Sequence, residues 1–272
     1  MVINHNLSAM NANRQLSINN ADQGKSLEKL SSGYRINRAG DDAAGLSISE
    51  KMRAQIRGLN QASRNAQDGI SLIQTAEGAL QETQSIVQRM RELAVQAAND
   101  TNVTVDRTAI KAEIDSLITE VNRIADKTTF NEKNLLNGKL TGKVGVFQIG
   151  ADQGTTMTIS IQAMNASALS LTGFTFAVSS DAQGAITKFD TAVKTISTIR
   201  STLGAYQNRL EHTINNLDNA SENIQAAESR IRDVDMAKEM MSYSKTNILM
   251  QASTAMLAQA NQAPQTVLQL LR

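Results

Sequence analysis

The feature that most constrains this chain is an apolar stripe that keeps helical phase for tens of residues. After Met52, positions Leu59, Ala62, Ala66, Gly69, Ile73, Ala76, Leu80, Thr83, Val87, Met90, Ala94 and Ala97 settle into alternating steps of three and four. Such steps place side chains on one face of an α-helix. A second stripe, Leu72, Ala79, Ile86 and Leu93, runs beside it. Two adjoining stripes make a face wide enough for more than one helical neighbour. At a rise of about 1.5 Å per residue, a helix over 52–97 would be roughly 70 Å long. Gly58, Gly69 and Gly78 each cost about 1 kcal/mol against alanine in a helix interior. The stripe holds its phase through all three, so close approach of a neighbouring helix is expected there.

A polar turn at 99–104 separates this run from a second one, with Ile110, Ile114, Leu117, Val121 and Ile124 on one face after Asp106. The third run is the most regular. Phe189, Ala192, Ile196, Ile199, Leu203, Tyr206, Leu210, Thr213, Leu217, Ala220, Ile224, Ala227, Ile231 and Val234 alternate in threes and fours. The expected fold is mainly α: a long antiparallel coiled-coil rod of three helices, two of them very long. Between the second and third runs the period changes. Val144-Gly-Val-Phe-Gln-Ile149 is β-branched and aromatic, and Met157, Ile159 and Ile161 alternate with polar residues. With the link 150–154 they read as a small β-hairpin near 140–162. Residues 165–188, rich in Ser, Thr, Ala and Gly around Phe174 and Phe176, read as an irregular stretch at the rod's tip.

Composition excludes several functions. Aromatics are 3% and tryptophan is absent, which argues against the packed pocket of a globular enzyme. One proline in 272 residues suits long helices. A net charge of +1, with no basic block, speaks against binding nucleic acid by counterion release. With no cysteine there are no disulfides, thiolate metal sites or thiol nucleophiles. No apolar run of membrane-spanning length occurs, so membrane insertion is not expected. The N-terminus has no visible cleavable signal peptide. His5 and His212 have no partner at metal-ligand spacing, and no metal or cofactor is expected. Asp41 and Asp42 read as helix caps rather than an ion site. Nothing reads as catalytic. The methionines fall on helical stripes and read as core filler.

The two ends are amphipathic but thin. Ordering an arm of about 40 residues costs on the order of 40–80 kcal/mol of backbone entropy, more than its own apolar surface offsets. The arms should therefore fold only when other subunits cover them. The candidate assembly residues are Ile3, Leu7, Met10, Leu27 and Leu30 at one end, and Ile248, Met256, Val267, Leu268, Leu270 and Leu271 at the other. Pro264 should kink or restart the last helix.

Segment 28–57, which contains Leu30-Ser-Ser-Gly-Tyr-Arg-Ile-Asn-Arg-Ala-Gly-Asp-Asp-Ala-Ala-Gly-Leu-Ser-Ile48, resembles the N-terminal signature of bacterial flagellins. Residues 67–80 and 88–96 continue the resemblance. The C-terminal half joins it through Asn208-Arg-Leu-Glu-His-Thr-Ile-Asn-Asn216, residues 227–233 and the ending Val267-Leu-Gln-Leu-Leu-Arg272. The resemblance covers 1–137 and 189–272. It implies a self-polymerising subunit of the flagellar filament, secreted to the exterior and without the variable outer domains of larger relatives. Residues 1–43 and 232–272 would form an inner coiled-coil domain whose helices pair in the filament, disordered in the monomer. Residues 44–231 would form the rod. Export unfolded through the flagellar type III apparatus with a chaperone is implied, with filament cap and hook–filament junction proteins as further partners. The Gln-Arg-Met-Arg-Glu-Leu motif at 88–93 implies recognition of the monomer by Toll-like receptor 5 through Arg89 and Leu93, with Glu113 on the next helix. The rival readings are a hook–filament junction protein and, from another class, a soluble signalling coiled coil.

Overall fold

The computed structural model describes residues 6–138 and 145–270, with side chains described up to residue 262. In chain order the elements are α1 (Leu7–Ser32), α2 (Ala43–Ala97), α3 (Thr104–Lys127), β1 (Thr129–Phe130), β2 (Lys133–Asn134), β3 (Val146–Gln148), β4 (Thr156–Thr158), α4 (Ser179–Arg232) and α5 (Met236–Leu270). Two compact units divide them: Met1–Ala54 with Asn223–Arg272, the terminal unit, and Gln55–Glu222, the central unit. α2 and α4 each contribute to both.

In the central unit α2 and α4 run antiparallel, and their stripes become its core. Ala66, Ile73, Ala76, Leu80, Val87, Met90 and Ala94 on α2 are fully buried, as are Phe189, Ile196 and Leu210 on α4. α3 adds Ile114 and Val121. Polar side chains on the two helices fix the register: Ser63 Oγ donates to Asp218 Oδ1 at 3.1 Å, and Ser221 Oγ to Asn60 Oδ1 at 2.9 Å. α2 ends where Arg107 of α3 donates to the carbonyls of Ala97 and Asn99, at 3.1 and 3.3 Å. Its guanidinium supplies partners and positive charge to a helix C-terminus.

β3 and β4 pair antiparallel, with Phe147 opposite Met157, as the change of period indicated. Val144 lies outside the described residues. The glycine reading needs correction. A Cβ at Gly58 would meet Ala151 of the hairpin loop at 2.9 Å. One at Gly69 would meet Phe147 of β3 at 3.4 Å as well as Leu210 of α4 at 3.2 Å. At Gly58 the hairpin, and no helix, is the close neighbour, and both the hairpin and α4 press on Gly69. At Gly78 nothing lies within 4 Å, and packing gives no reason for it.

A second hairpin, β1–β2, was not visible in the pattern. Its two-residue turn holds Asn131 and Glu132 at φ 48° and 65°. This is the left-handed geometry of the favoured tight hairpin turn, usually written Asn-Gly; Glu132 in the second place hid it. The irregular stretch at 165–188 is also corrected. Helix α4 already begins at Ser179, and the residues before it are core. Leu169, Leu171, Phe174 and Phe176 are buried, and the rings of Phe174 and Phe189 lie 4.8 Å apart. The backbone there is held by Asn122 Oδ1, which accepts the Ala166 N–H at 2.9 Å, and by Leu136 O, which accepts the Met164 N–H at 2.8 Å.

Candidate assembly surface

In the terminal unit α1 and α5 lie antiparallel, with Asn6 Nδ2 donating to Ala260 O at 2.7 Å and Asn19 Nδ2 to Ser253 Oγ at 2.9 Å. Their Cα atoms approach within 8 Å along the pair. The side chains between them explain that closeness. The shielded positions of α1 include Ala9, Ala12, Leu16, Asn19, Gln23, Ser26 and Leu30, in steps of three and four, with Glu28 and Lys29 also shielded in its last turn. Those of α5 include Glu239, Tyr243, Thr246, Met250, Ser253, Leu257 and Ala260, in the same steps, with Asn247 beside Thr246. Small and polar residues fill most of this seam, so the backbones come close and little apolar area is removed from water. Only Asn19 and Ser26 of α1 are buried, and no residue of α5 between 236 and 262 is.

Apart from Leu16, Leu30, Tyr243, Met250 and Leu257 on the seam, the large apolar side chains described on these helices are exposed. Leu7, Met10 and Leu27 are 69%, 64% and 55% exposed, and Ile248 and Met256 are 65% and 64% exposed. Leu30 lies on the seam, half-buried. Ile3 and Leu271 lie outside the described residues, and of Val267, Leu268 and Leu270 only the helical backbone is described. On α5, Met240, Met241, Ile248 and Leu249 line a shallow apolar depression with Ser244 and Lys245. The reading of the methionines as core filler holds for Met90 and Met157 but fails on α5, where Met236, Met240, Met241 and Met256 are exposed. α5 passes Pro264 as one helix, without the expected restart.

The connection between α1 and α2 is tightly built. Gly33, at φ 74°, ends α1 in a conformation that favours glycine. Arg35 N then donates to Arg232 O at 2.7 Å and Val234 N to Gly33 O at 3.0 Å, an antiparallel bridge beside the break between α4 and α5. The Tyr34 ring faces two guanidiniums, with Arg232 at 4.8 Å and Arg53 at 5.7 Å. Arg53 pairs with Glu228, and Arg232 with Glu50. Asp41 accepts from the backbone of Arg38 and Asn37, and these hydrogen bonds, Arg38 first, hold its carboxyl below the usual range. Asp42 Oδ1 accepts the Gly45 N–H at 2.8 Å and caps α2. Asp42 is thus the expected cap, whereas Asp41 corrects that reading: its carboxylate ties the loop residues Asn37 and Arg38 rather than a helix N-terminus.

Of the three receptor-motif residues, the structure brings two together at the surface of the central unit. Arg89 donates to Glu113 Oε1 through Nε and Nη2, at 3.2 and 3.0 Å. Hydrogen bonds to Glu113, then Glu92, raise the Arg89 pKa above its ordinary value. Leu93 is placed differently: only 2% exposed, it packs in the core. Its membership of the Leu72–Ala79–Ile86–Leu93 stripe was the signal for that. His212 is exposed, and His5 lies outside the described residues. Among the described residues no group of three or more His, Cys, Asp or Glu side chains gathers to hold a metal ion, and no helix is long and apolar enough to cross a membrane.

Residues 3–141 match the bacterial flagellin N-terminal helical region and residues 186–271 the bacterial flagellin C-terminal helical region. A flagellin of Halalkalibacterium halodurans is 61% identical, covering all of both chains. A flagellin of Bacillus subtilis and a flagellar filament 33 kDa core protein of Treponema phagedenis are each 53% identical, again over the whole of both chains. The crystal structure of Bacillus cereus flagellin is 35% identical and covers 57% of this chain and 88% of its own, with a TM-score of 0.49.

Proposed function

The chain belongs to the bacterial flagellin family, and we propose that it polymerises by burying the outward apolar faces of α1 and α5 between subunits. It is a structural subunit of the extracellular flagellar filament and serves motility. The observation that carries the assembly route is the inversion of the terminal unit. A helix pair that stood alone would put Leu7, Met10, Ile248 and Met256 between its helices. This pair leaves them outside and puts Asn19, Ser26 and Ser253 there, with Leu16, Met250 and Leu257 only half-buried among them. An exposed aliphatic gains nothing in solvent and about 1.5–3 kcal/mol once buried. The relatives' names, flagellin and filament core protein over full length, favour the filament subunit over a junction protein or a signalling coiled coil.

Export through the flagellar type III apparatus in unfolded form belongs to the same proposal. It is supported by the cysteine-free chain and by terminal helices that bury little of their own surface. Recognition of the monomer by Toll-like receptor 5 is supported by the exposed Arg89–Glu113 pair. Leu93, packed inside, would act by holding α2 in place. The chaperone, filament cap and junction proteins complete the set of proposed partners.

Seeded polymerisation followed by electron microscopy tests the assembly route: purified subunits should lengthen seeds into filaments. Subunits that stay soluble with intact seeds present would refute it. For the receptor, Arg89→Ala with Glu113→Ala should lower the response to monomer strongly, because a truncated side chain cannot replace a guanidinium fork. Unchanged potency would remove this site while leaving the filament reading intact.

A further inference from the structure

Five of the chain's 11 methionines lie between 236 and 256 on α5. Met240, Met241 and Met256 are 51%, 68% and 64% exposed, whereas Met90 and Met157 in the central unit are 0% and 3% exposed. Leucine would give a docking face the same apolar area. A thioether adds chemistry: it takes an oxygen atom from a peroxide and becomes polar. We infer that this methionine face is an oxidation-sensitive control on polymerisation, open to hydroperoxides in the free subunit. The inference rests on the proposal that the α5 face is buried between subunits.

The chemical step balances without any other reactant. The methionine sulfur attacks one oxygen of hydrogen peroxide, the O–O bond breaks and an S=O bond forms. The second oxygen leaves as water, so sulfur is oxidised by two electrons and the peroxide is reduced. The sulfoxide brings a strong hydrogen-bond acceptor to a surface lined by Ile248 and Leu249. Seating that acceptor against another apolar face leaves it without a partner and opposes association. Once subunits are assembled, the same sulfurs are covered, so the control acts before polymerisation rather than after it.

The experiment uses the full chain. Monomer is treated with graded hydrogen peroxide, sulfoxides are located by peptide mass spectrometry, and elongation of untreated seeds is followed by sedimentation. Sulfoxide should form at Met240, Met241 and Met256 about tenfold or more faster than at Met90 and Met157. Elongation should slow by a similar factor, about tenfold. Treatment with the two stereospecific methionine sulfoxide reductases and a thiol reductant should restore it. In the variant combining Met10→Leu, Met236→Leu, Met240→Leu, Met241→Leu and Met256→Leu, the ratio of elongation rates with and without peroxide should rise to near one, whatever the variant's own untreated rate. Normal elongation by oxidised monomer, no recovery on repair, or core methionines reacting as fast as those of α5 would each overturn the inference. Untreated subunits that never elongate would instead refute the assembly route, and the sulfoxide map would still report on exposure.

Discussion

The two units are built from the same kind of long helix, yet they treat water in opposite ways. In the central unit the periodic residues are mostly apolar, and Ile73, Leu80, Val87 and Ile196 are fully buried alongside Ala66, Ala76 and Ala94. In the terminal unit the residues between the helices are mostly small or polar, while Leu7, Met10, Ile248 and Met256 face outward. One unit gains its folding energy from its own chain. The other holds its apolar surface in reserve for a neighbour. A helix-forming pattern therefore does not settle what a helix packs against. The identity of the residues on the stripe does.

The contrast breaks most visibly on the outward faces. Leu7→Asp with Ile248→Asp should raise the concentration needed for elongation about a hundredfold or more, because two apolar burials are lost and charges take their place. The melting of the central unit should not change, as neither residue belongs to it. Sedimentation and circular dichroism on the same samples would check both halves. Leu80→Ala is the reverse experiment. It opens a cavity at a fully buried site and should remove about 2–5 kcal/mol from the central unit, measured by denaturant unfolding.

A smaller effect separates two glycines of α2. Gly78→Ala should stabilise by about 0.5–1 kcal/mol, since its Cβ meets open space and alanine favours the helix. Gly58→Ala should lose that gain against Ala151. Equal stabilisation by both would show that the hairpin does not press on α2.

The smallest effect concerns acid. The carboxyl of Asp41 is held below the ordinary range by the N–H groups of Arg38 and Asn37. With its folded pKa depressed, its contribution is complete above the ordinary carboxylate range and is lost as pH falls through the folded value. Acid dissolution of filaments should therefore lack one component in Asp41→Asn. A titration curve identical to that of the parent would remove Asp41 from the joint.

Much of this was legible in residue spacing. The stripes of α2, α3 and α4, the β3–β4 hairpin and the cap at Asp42 follow from period and residue type, whereas Asp41 ties the loop before α2 instead of capping it. The seam of α1 and α5 did not, because Asn19, Gln23, Ser26, Thr246 and Ser253 carry no hydropathy signal although they keep the three-four step. The core role of Leu169 and Leu171 was hidden by the Ser, Thr and Gly around them, since irregular backbone has no period to read. Leu93 shows the opposite difficulty. Its family motif suggested a surface role, while its place on the second stripe put it inside.

Hydrogen exchange on the monomer and the filament reaches the central difference between the units most directly. In the monomer, amides of α3 and of the central parts of α2 and α4 should exchange slowly, at rates set by unfolding of the whole unit. Those of α1 and α5 should exchange at nearly the rate of an unfolded chain. On polymerisation, α1 and α5 should become as protected as the core. Strong protection of α1 and α5 in a proven monomer would contradict this: it would show that a seam made mostly of small and polar residues holds the terminal helices without any neighbouring subunit.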